Sequence, residues 1–152
     1  MVVASADHPL FAQRSIALSD LCRYRWVLPS ASAASRGWLD HVFETRRLPT
    51  PVAQIRSESI SLTPRLVAGT ALLSFIARRN LGIANVGATL REVPLRATTM
   101  PRDFAVVWRK HAYLSPATAR LRDLILAMGP SILEVLAKER APPAATATRR
   151  GS

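Results

Sequence analysis

Cysteine, long apolar runs and an export signal are all scarce or absent in this chain of 152 residues. Cys22 is the only cysteine, so the sequence excludes an internal disulfide and a cluster of thiolate metal ligands. No apolar run approaches the length of about 18 residues that a membrane-spanning helix needs. The first residues, MVVASADHPLFAQR, lack a basic segment followed by a sustained apolar core, as a secretory signal would have. The sequence therefore predicts a cytoplasmic protein that does not enter a membrane.

Lysine is also scarce, since Lys110 and Lys138 are the only lysines and nearly all basic residues are arginine. The formal net charge of +11 would by itself indicate nucleic acid or another acidic partner. The arginines are scattered, however, in pairs such as Arg46-Arg47 and without any run of about five or more like charges. Such lopsided usage is better explained by genome base composition. The charge therefore does not predict direct DNA contact.

The residue patterns of common enzyme sites are absent as well. His8, His41 and His111 lie far apart along the chain. The sequence contains no nucleophile elbow, phosphate-binding loop, dinucleotide fingerprint or paired carboxylate cluster. His8 precedes a proline, which favours an extended turn residue over a metal ligand. The sequence thus predicts a domain that binds without reacting, with no catalytic residue, metal or cofactor.

Strands and short helices alternate along most of the chain. Runs of apolar residues bounded by turn signals predict strands at 2–4, 25–29, 53–57, 72–76, 90–95 and 104–109. Helical spacing predicts helices at 35–47, after residue 63, at 115–128 and, beyond a break at Gly129-Pro130, at 131–138. This alternation is typical of an α/β fold with a mainly parallel sheet.

The segment 54–78, QIRSESISLTPRLVAGTALLSFIAR, combines a strand, a hydroxyl-rich turn, a short helix and a second strand. Thr63 is expected to cap the helix and Pro64 to be its first residue. A strand that leads into a hydroxyl-lined helix N-terminus can bind an anion through Ser57, Ser59 and Ser61. Ordinary helix capping explains the same residues, so both interpretations stay open.

Four pieces of the sequence, in order, resemble the effector-binding domain of LysR-type transcriptional regulators. They are ADHPL at 6–10, WVLPS at 26–30, S-x-S-I followed by LV-x-G-T-x-LLS-x-I-x-R within 57–78, and FAVVWR at 104–109 followed by Ser115-Pro116. No single piece is specific, but their order and spacing are. The resemblance spans about residues 2–128.

This resemblance implies a domain similar to periplasmic binding proteins, with two lobes that follow a helix-turn-helix DNA-binding domain. The chain would begin with an inter-lobe crossover (1–10), continue as the second lobe (11–95), add the return strand and helices of an incomplete first lobe (96–138), and end in a disordered tail (139–152). One mostly complete lobe with a mainly parallel sheet would therefore be present. DNA would be contacted only through a helix-turn-helix domain that lies outside this chain.

The resemblance also implies a ligand cleft. In the family the strand, loop and helix after residue 25 line one wall of that cleft. Carried over by position, the candidate effector-binding residues are Ser30, Ser32, Arg36, Ser57, Ser59 and Ser61. The implied partner is a small, anionic metabolite, bound weakly or not at all here because half of the cleft is missing. Arg36 could equally be a solvated residue of a first helical turn, where the helix dipole is unfavourable to a cation.

Two alternatives belong to other classes of protein. A solute-binding protein of a transport system shares the two-lobed fold, but the missing signal and the HPL and SP motifs argue against it. A fragment that does not sense an effector could instead pair with a homologous regulator through its unfinished sheet. Because the first lobe would be incomplete, the apolar residues of 104–128 would be exposed, and we expect the chain to self-associate.

Overall fold

The computed structural model describes residues 1–82 and 89–138, with only the backbone described for 133–138. The chain divides into two compact units, 1–102 and 103–152, and each unit is described by itself. The tail that was expected to be disordered, 139–152, lies outside the described residues.

The first unit is built on a five-stranded sheet with the order β3-β2-β4-β1-β5. Its strands are β1 (Val2–Ser5), β2 (Trp26–Leu28), β3 (Ala53–Arg56), β4 (Leu73–Phe75) and β5 (Leu90–Glu92). Strand β2 pairs in parallel with β3 and β4, whereas β1 pairs antiparallel with β4 and β5. Strands β2 to β5 therefore point the same way and β1 alone points back. This arrangement confirms a mainly parallel sheet.

Helices cover both faces of this sheet. They are α1 (Ala34–Glu44) and α2 (Leu62–Ala68), and short 3-10 helices occupy Pro9–Ala12, Leu18–Arg23, Arg78–Gly82 and Arg96–Thr98. Trp26 and Leu28 of β2 belong to a core cluster shared with α1, while Val27 belongs to a second cluster shared with α2. Successive side chains of a strand point to opposite faces, so an unbroken apolar run fits a strand that is covered on both sides.

Helix α2 begins earlier than the position of its proline suggests. The prediction that Thr63 caps the helix and Pro64 opens it is wrong, because the helix begins at Leu62. The Ser59 hydroxyl accepts a hydrogen bond from the Leu62 amide at 3.2 Å, and the Ser59 carbonyl accepts one from the Thr63 amide at 3.1 Å. These bonds start the helix two residues before Pro64. The proline still lies in the first turn, where its missing N–H group costs little.

The second unit departs from the prediction at two places. No strand forms at 104–109. Phe104, Val107 and Trp108 are exposed, and no described strand pairs with this segment. A single strand cannot satisfy its own N–H and C=O groups, so its apolar pattern does not suffice to form a sheet.

The second departure is a helix that continues through the predicted break at Gly129-Pro130. Helix α3 runs from Pro116 to Lys138 with Pro130 inside it. The start was predicted correctly, since the Ser115 hydroxyl accepts a hydrogen bond from the Thr118 amide at 3.3 Å and Pro116 is the first helical residue. Pro130 removes one backbone hydrogen bond and its ring crowds the Leu126 carbonyl, yet the helix continues through it to Lys138.

His8 is a buried turn residue that joins two parts of the first unit. Its Nδ1 accepts a hydrogen bond from the Leu10 amide, and its Nε2 donates to the Ala71 carbonyl, both at 3.1 Å. These partners require a neutral ring that carries its proton on Nε2. The Tyr24 ring packs edge-on against it with centroids 4.5 Å apart. Burial lowers the pKa of His8 below its ordinary value.

We therefore expect the chain to lose stability when the pH falls below about 6.5, the ordinary pKa of histidine, because the unfolded chain then binds a proton that the folded chain excludes. Above that pH the contribution of His8 is fully present. Thermal unfolding at pH 7.5 and 5.5 measures this loss, which should be smaller in His8→Gln than in the wild type. His41→Gln, which changes an exposed histidine of α1, is the matched control. Equal losses in His8→Gln and the wild type would contradict the assignment.

Arg47 provides a second stability test because it lies in the turn after α1 with a φ of 56°, in the left-handed region. The Leu48 amide donates to the Phe43 carbonyl at 3.0 Å, which fixes this conformation. Left-handed backbone costs a non-glycine residue about 1–2 kcal/mol, and glycine avoids this cost. Part of the gain is lost because glycine also increases the conformational entropy of the unfolded chain. We expect Arg47→Gly to raise the free energy of unfolding by about 0.5–1 kcal/mol in urea titrations. The Arg46 guanidinium donates a hydrogen bond to the Val42 carbonyl, so Arg46→Gly should lower the free energy of unfolding.

Candidate functional site

A cleft of about 360 Å³ opens at the edge of the sheet where the parallel strands end. Pro29 follows β2, Ser57 follows β3 and Ile76 follows β4, and all three line the cleft. Because β1 runs in the opposite direction, it brings Met1 at its amino end to the same edge. Ligands of open α/β sheets bind outside the carboxyl ends of the strands. Topology therefore marks this cleft as the candidate site.

Hydroxyl groups from the turn after β3 form one wall of the cleft. Ser57, Ser59 and Thr63 all line it. The Ser57 oxygen accepts a hydrogen bond from the Ser59 amide at 3.3 Å and another from the Thr63 hydroxyl at 3.2 Å. A hydroxyl has two acceptor lone pairs and one donor hydrogen. With both lone pairs occupied, Ser57 keeps only its O–H donor for a ligand.

The amide groups at the start of α2 contribute little to this wall. The Leu62 amide is bonded to the Ser59 hydroxyl, the Thr63 amide to the Ser59 carbonyl, and Pro64 has no N–H group. The Ser59 hydroxyl also lies 3.3 Å from that of Ser61. An anion in the cleft would therefore be bound by side chains rather than by the end of the helix.

Charged side chains complete the walls. Glu58, Arg78 and Arg102 line the cleft. The Ser30 hydroxyl donates to Glu58 Oε1 at 2.7 Å. Arg78 pairs with both carboxylate oxygens of Glu92, at 2.7 and 2.8 Å from one guanidinium nitrogen. Arg102 makes no ion pair with any of the described residues. Its guanidinium is therefore a cation at the cleft that no described carboxylate balances.

The structure brings together some of the residues that the sequence nominated and not others. Ser57 and Ser59 line the cleft. Ser30 and Ser32 lie one layer behind it, with their hydroxyls 3.0 Å apart and Ser30 bonded to Glu58. Arg36 and Ser61 do not line it.

Arg36 is occupied by partners in its own part of the fold. Its Nε donates to both carboxylate oxygens of Asp40 at 2.8 and 2.9 Å, and its terminal nitrogen donates to the Pro51 carbonyl at 2.8 Å. Its side chain is 14% exposed. The pair spans one turn of α1 and ties that helix to the segment before β3. These contacts also offset the unfavourable placement of a cation in a first helical turn.

Sequence reasoning missed Glu58, Arg78 and Arg102 as residues of the cleft. Glu58 lies inside the predicted hydroxyl turn, and Arg78 follows shortly after a predicted strand, so their positions carried a usable signal. The sequence position of Arg102 gave no such signal, because only folding brings the segment after β5 to this edge of the sheet.

Other chemistry is sparse in the part of the chain that the structure describes. No group of three or more His, Cys, Asp or Glu residues there could hold a metal ion. Cys22 is partly buried, and its burial raises the pKa of the thiol, which disfavours the reactive thiolate. None of the helices described is both long and apolar enough to cross a membrane.

The first unit is an α/β fold with a cleft at the carboxyl ends of its parallel strands, where ligands of open α/β sheets bind. A family profile described as the LysR substrate binding domain matches residues 1–130, which is most of the chain. The chain therefore belongs to the LysR substrate-binding domain family. This confirms the resemblance that the sequence motifs indicated.

Two curated relatives are transcriptional regulators. The HTH-type transcriptional regulator GalR of Pseudomonas putida is 26% identical over 125 residues, covering 82% of this chain and 31% of that protein. The HTH-type transcriptional regulator CbbR of Xanthobacter flavus is 27% identical over 135 residues, covering 88% of this chain and 40% of that protein. The chain thus spans well under half the length of either relative.

A solved structure has the same fold. The effector binding domain of QuiR in complex with shikimate superposes with a TM-score of 0.62 and 22% sequence identity. The match covers 86% of this chain and 60% of that one. This similarity confirms the periplasmic-binding-protein-like α/β fold.

Proposed function

We propose that this chain is the effector-sensing part of a LysR-type transcriptional regulator and that it binds a small, anionic metabolite in the cleft. The observation that carries this proposal is the state of Ser57, whose oxygen already accepts two hydrogen bonds and can only donate to a ligand. A donor is complementary to an oxygen-rich anion. Arg102, a cation without an ion pair among the described residues, supplies charge to the same cleft.

Ser57 and Ser59 are the residues proposed to contact the effector directly. Ser30 and Ser32 act indirectly, because the Ser30 hydroxyl donates to the Glu58 carboxylate at the cleft and the Ser32 hydroxyl is hydrogen-bonded to that of Ser30. Ser61 lies beside Ser59, and Arg36 fixes the start of α1 through Asp40. The last two residues would therefore shape the site without touching the ligand.

The relatives support regulation rather than catalysis as the outcome of binding. Both curated relatives are named as helix-turn-helix transcriptional regulators. We propose that this chain likewise contacts DNA only through such a domain elsewhere in a complete regulator, and that it acts in the cytoplasm. The solved relative holds shikimate, a carboxylate, which makes that compound a suitable probe.

Helix α3 supports self-association as a second property of the chain. Leu121, Leu124, Ile125, Met128 and Ile132 recur at helical spacing on one side, and each is about half exposed. Exposed apolar patches of this kind mark interaction surfaces. We propose that two chains associate through this stripe.

The effector site is tested by replacing Ser57 with alanine and titrating shikimate into the isotopically labelled chain. Amide shifts in an NMR spectrum detect the weak binding expected of a single lobe. Wild type should bind shikimate and not its neutral methyl ester, because the Arg102 cation selects the charge. Ser57→Ala should weaken binding by about 1 kcal/mol, the value of one hydrogen bond. Ser15→Ala removes an exposed hydroxyl that does not line the cleft, and this matched control should leave the affinity unchanged. Equal binding of the ester, or equal effects of both substitutions, would refute the proposed site.

Self-association is tested by sedimentation over a concentration series. Burying a large apolar side chain stabilises a complex by roughly 1.5–3 kcal/mol, so Leu124→Glu should shift the equilibrium strongly toward monomer. Ala127→Glu adds the same charge at an exposed position beside the stripe and should have a smaller effect. A wild-type chain that stays monomeric at every concentration would show that the stripe is not an interface.

A further inference from the structure

The two ends of the cleft differ in charge. Glu58 lies in the turn after β3, which is one edge of the sheet, whereas Arg78 follows β4 and Arg102 lies near the amino end of β1. Strands β3 and β4 are two places apart, which separates their ends by about 10 Å at the usual strand spacing. The negative and positive side chains therefore lie at different ends of the cleft.

The negative end pairs a hydrogen-bond donor with an acceptor. Ser57 can offer only its O–H hydrogen to a ligand. Glu58 is the neighbouring residue, and its Oε1 accepts from Ser30 while its Oε2 has no partner among the described residues. An ionised carboxylate only accepts hydrogen bonds. Two consecutive residues therefore present one donor and one charged acceptor to the cleft.

A hydroxyl is the simple ligand group that satisfies both. It accepts through its oxygen and donates through its hydrogen, so it can bond to Ser57 and Glu58 together. A ligand carboxylate at the same place would be repelled by Glu58, and an alkyl group would leave both partners unsatisfied. The positive end near Arg102 has the opposite preference and favours a carboxylate.

We propose that the effector is a hydroxylated carboxylic acid, with a hydroxyl held between Ser57 and Glu58 and its carboxylate directed toward Arg102. The proposal rests on the effector-binding function above and narrows its ligand class. If the effector belongs to this class, Glu58 is the residue that distinguishes hydroxylated monocarboxylic acids from acids without hydroxyls and from dicarboxylic acids.

The test compares two acids that share a ring and a carboxylate. Shikimate carries three hydroxyls, and cyclohex-1-ene-1-carboxylate carries none. Wild type should prefer shikimate by about tenfold, the value of a strong hydrogen bond to a charged group. Glu58→Gln should reduce that preference about threefold to tenfold, since a neutral amide is a weaker acceptor than a carboxylate. Glu58→Gln should also improve binding of benzene-1,3-dicarboxylate, because the repulsion at this end is removed.

Two further variants separate this inference from the function on which it rests. Glu44→Gln makes the same charge change on the exposed surface of α1 and should preserve the preference. Arg102→Gln should weaken both acids by the same factor, because it acts on their shared carboxylate. If both acids bind wild type equally, or if Glu58→Gln leaves the preference intact, the ligand class is wrong although the effector site stands. If neither acid shifts any cleft amide, the proposed site itself is wrong and this inference falls with it.

Discussion

Burial of β2 on both faces is the constraint on which the rest of the first unit depends. Trp26, Val27 and Leu28 are fully buried, with Val27 facing α2 and its two neighbours facing α1. The Ser74 hydroxyl of β4 donates to the Val27 carbonyl at 2.7 Å, which adds a side-chain bond to the parallel ladder. Since β2 lies between β3 and β4, its position aligns the ends of all three strands. The cleft exists because these ends are aligned.

The directions of the strands determine the position of the cleft as much as the burial of β2 does. Four strands end at the cleft edge and only β1 begins there, so the loops that follow the parallel strands converge on one place. The opposite direction of β1 is set by its two neighbours, β4 and β5, with which it pairs antiparallel. Parallel strands need long crossovers, and those crossovers carry the hydroxyls and charges that line the site.

Sequence patterns predicted the strands of the first unit well because each is a short apolar run between turn signals. They also nominated Ser57 and Ser59, which line the cleft, because the hydroxyls cluster directly after one of those strands. They failed where tertiary contacts decide the outcome. A segment as apolar as 104–109 is not a strand without a neighbour, and Pro130 does not end helix α3. Arg102 was missed because a position so distant in sequence reaches the cleft only after folding.

One lobe can recognise a ligand, but it cannot by itself convert recognition into regulation. Coupling requires two states that the ligand binds with different affinity. In the first unit the cleft has one set of walls, formed by the loops after β2, β3, β4 and β5. A second set of walls, able to close over the ligand or to move away, would create the second state. The residues that select the ligand are therefore separable from those that transmit its presence. Glu58 and Ser57, which line the cleft, are the proposed members of the first group, and surfaces such as the apolar stripe of α3 are candidates for the second. Substitutions in the cleft should change which molecule is sensed, whereas substitutions in the stripe should change what sensing does.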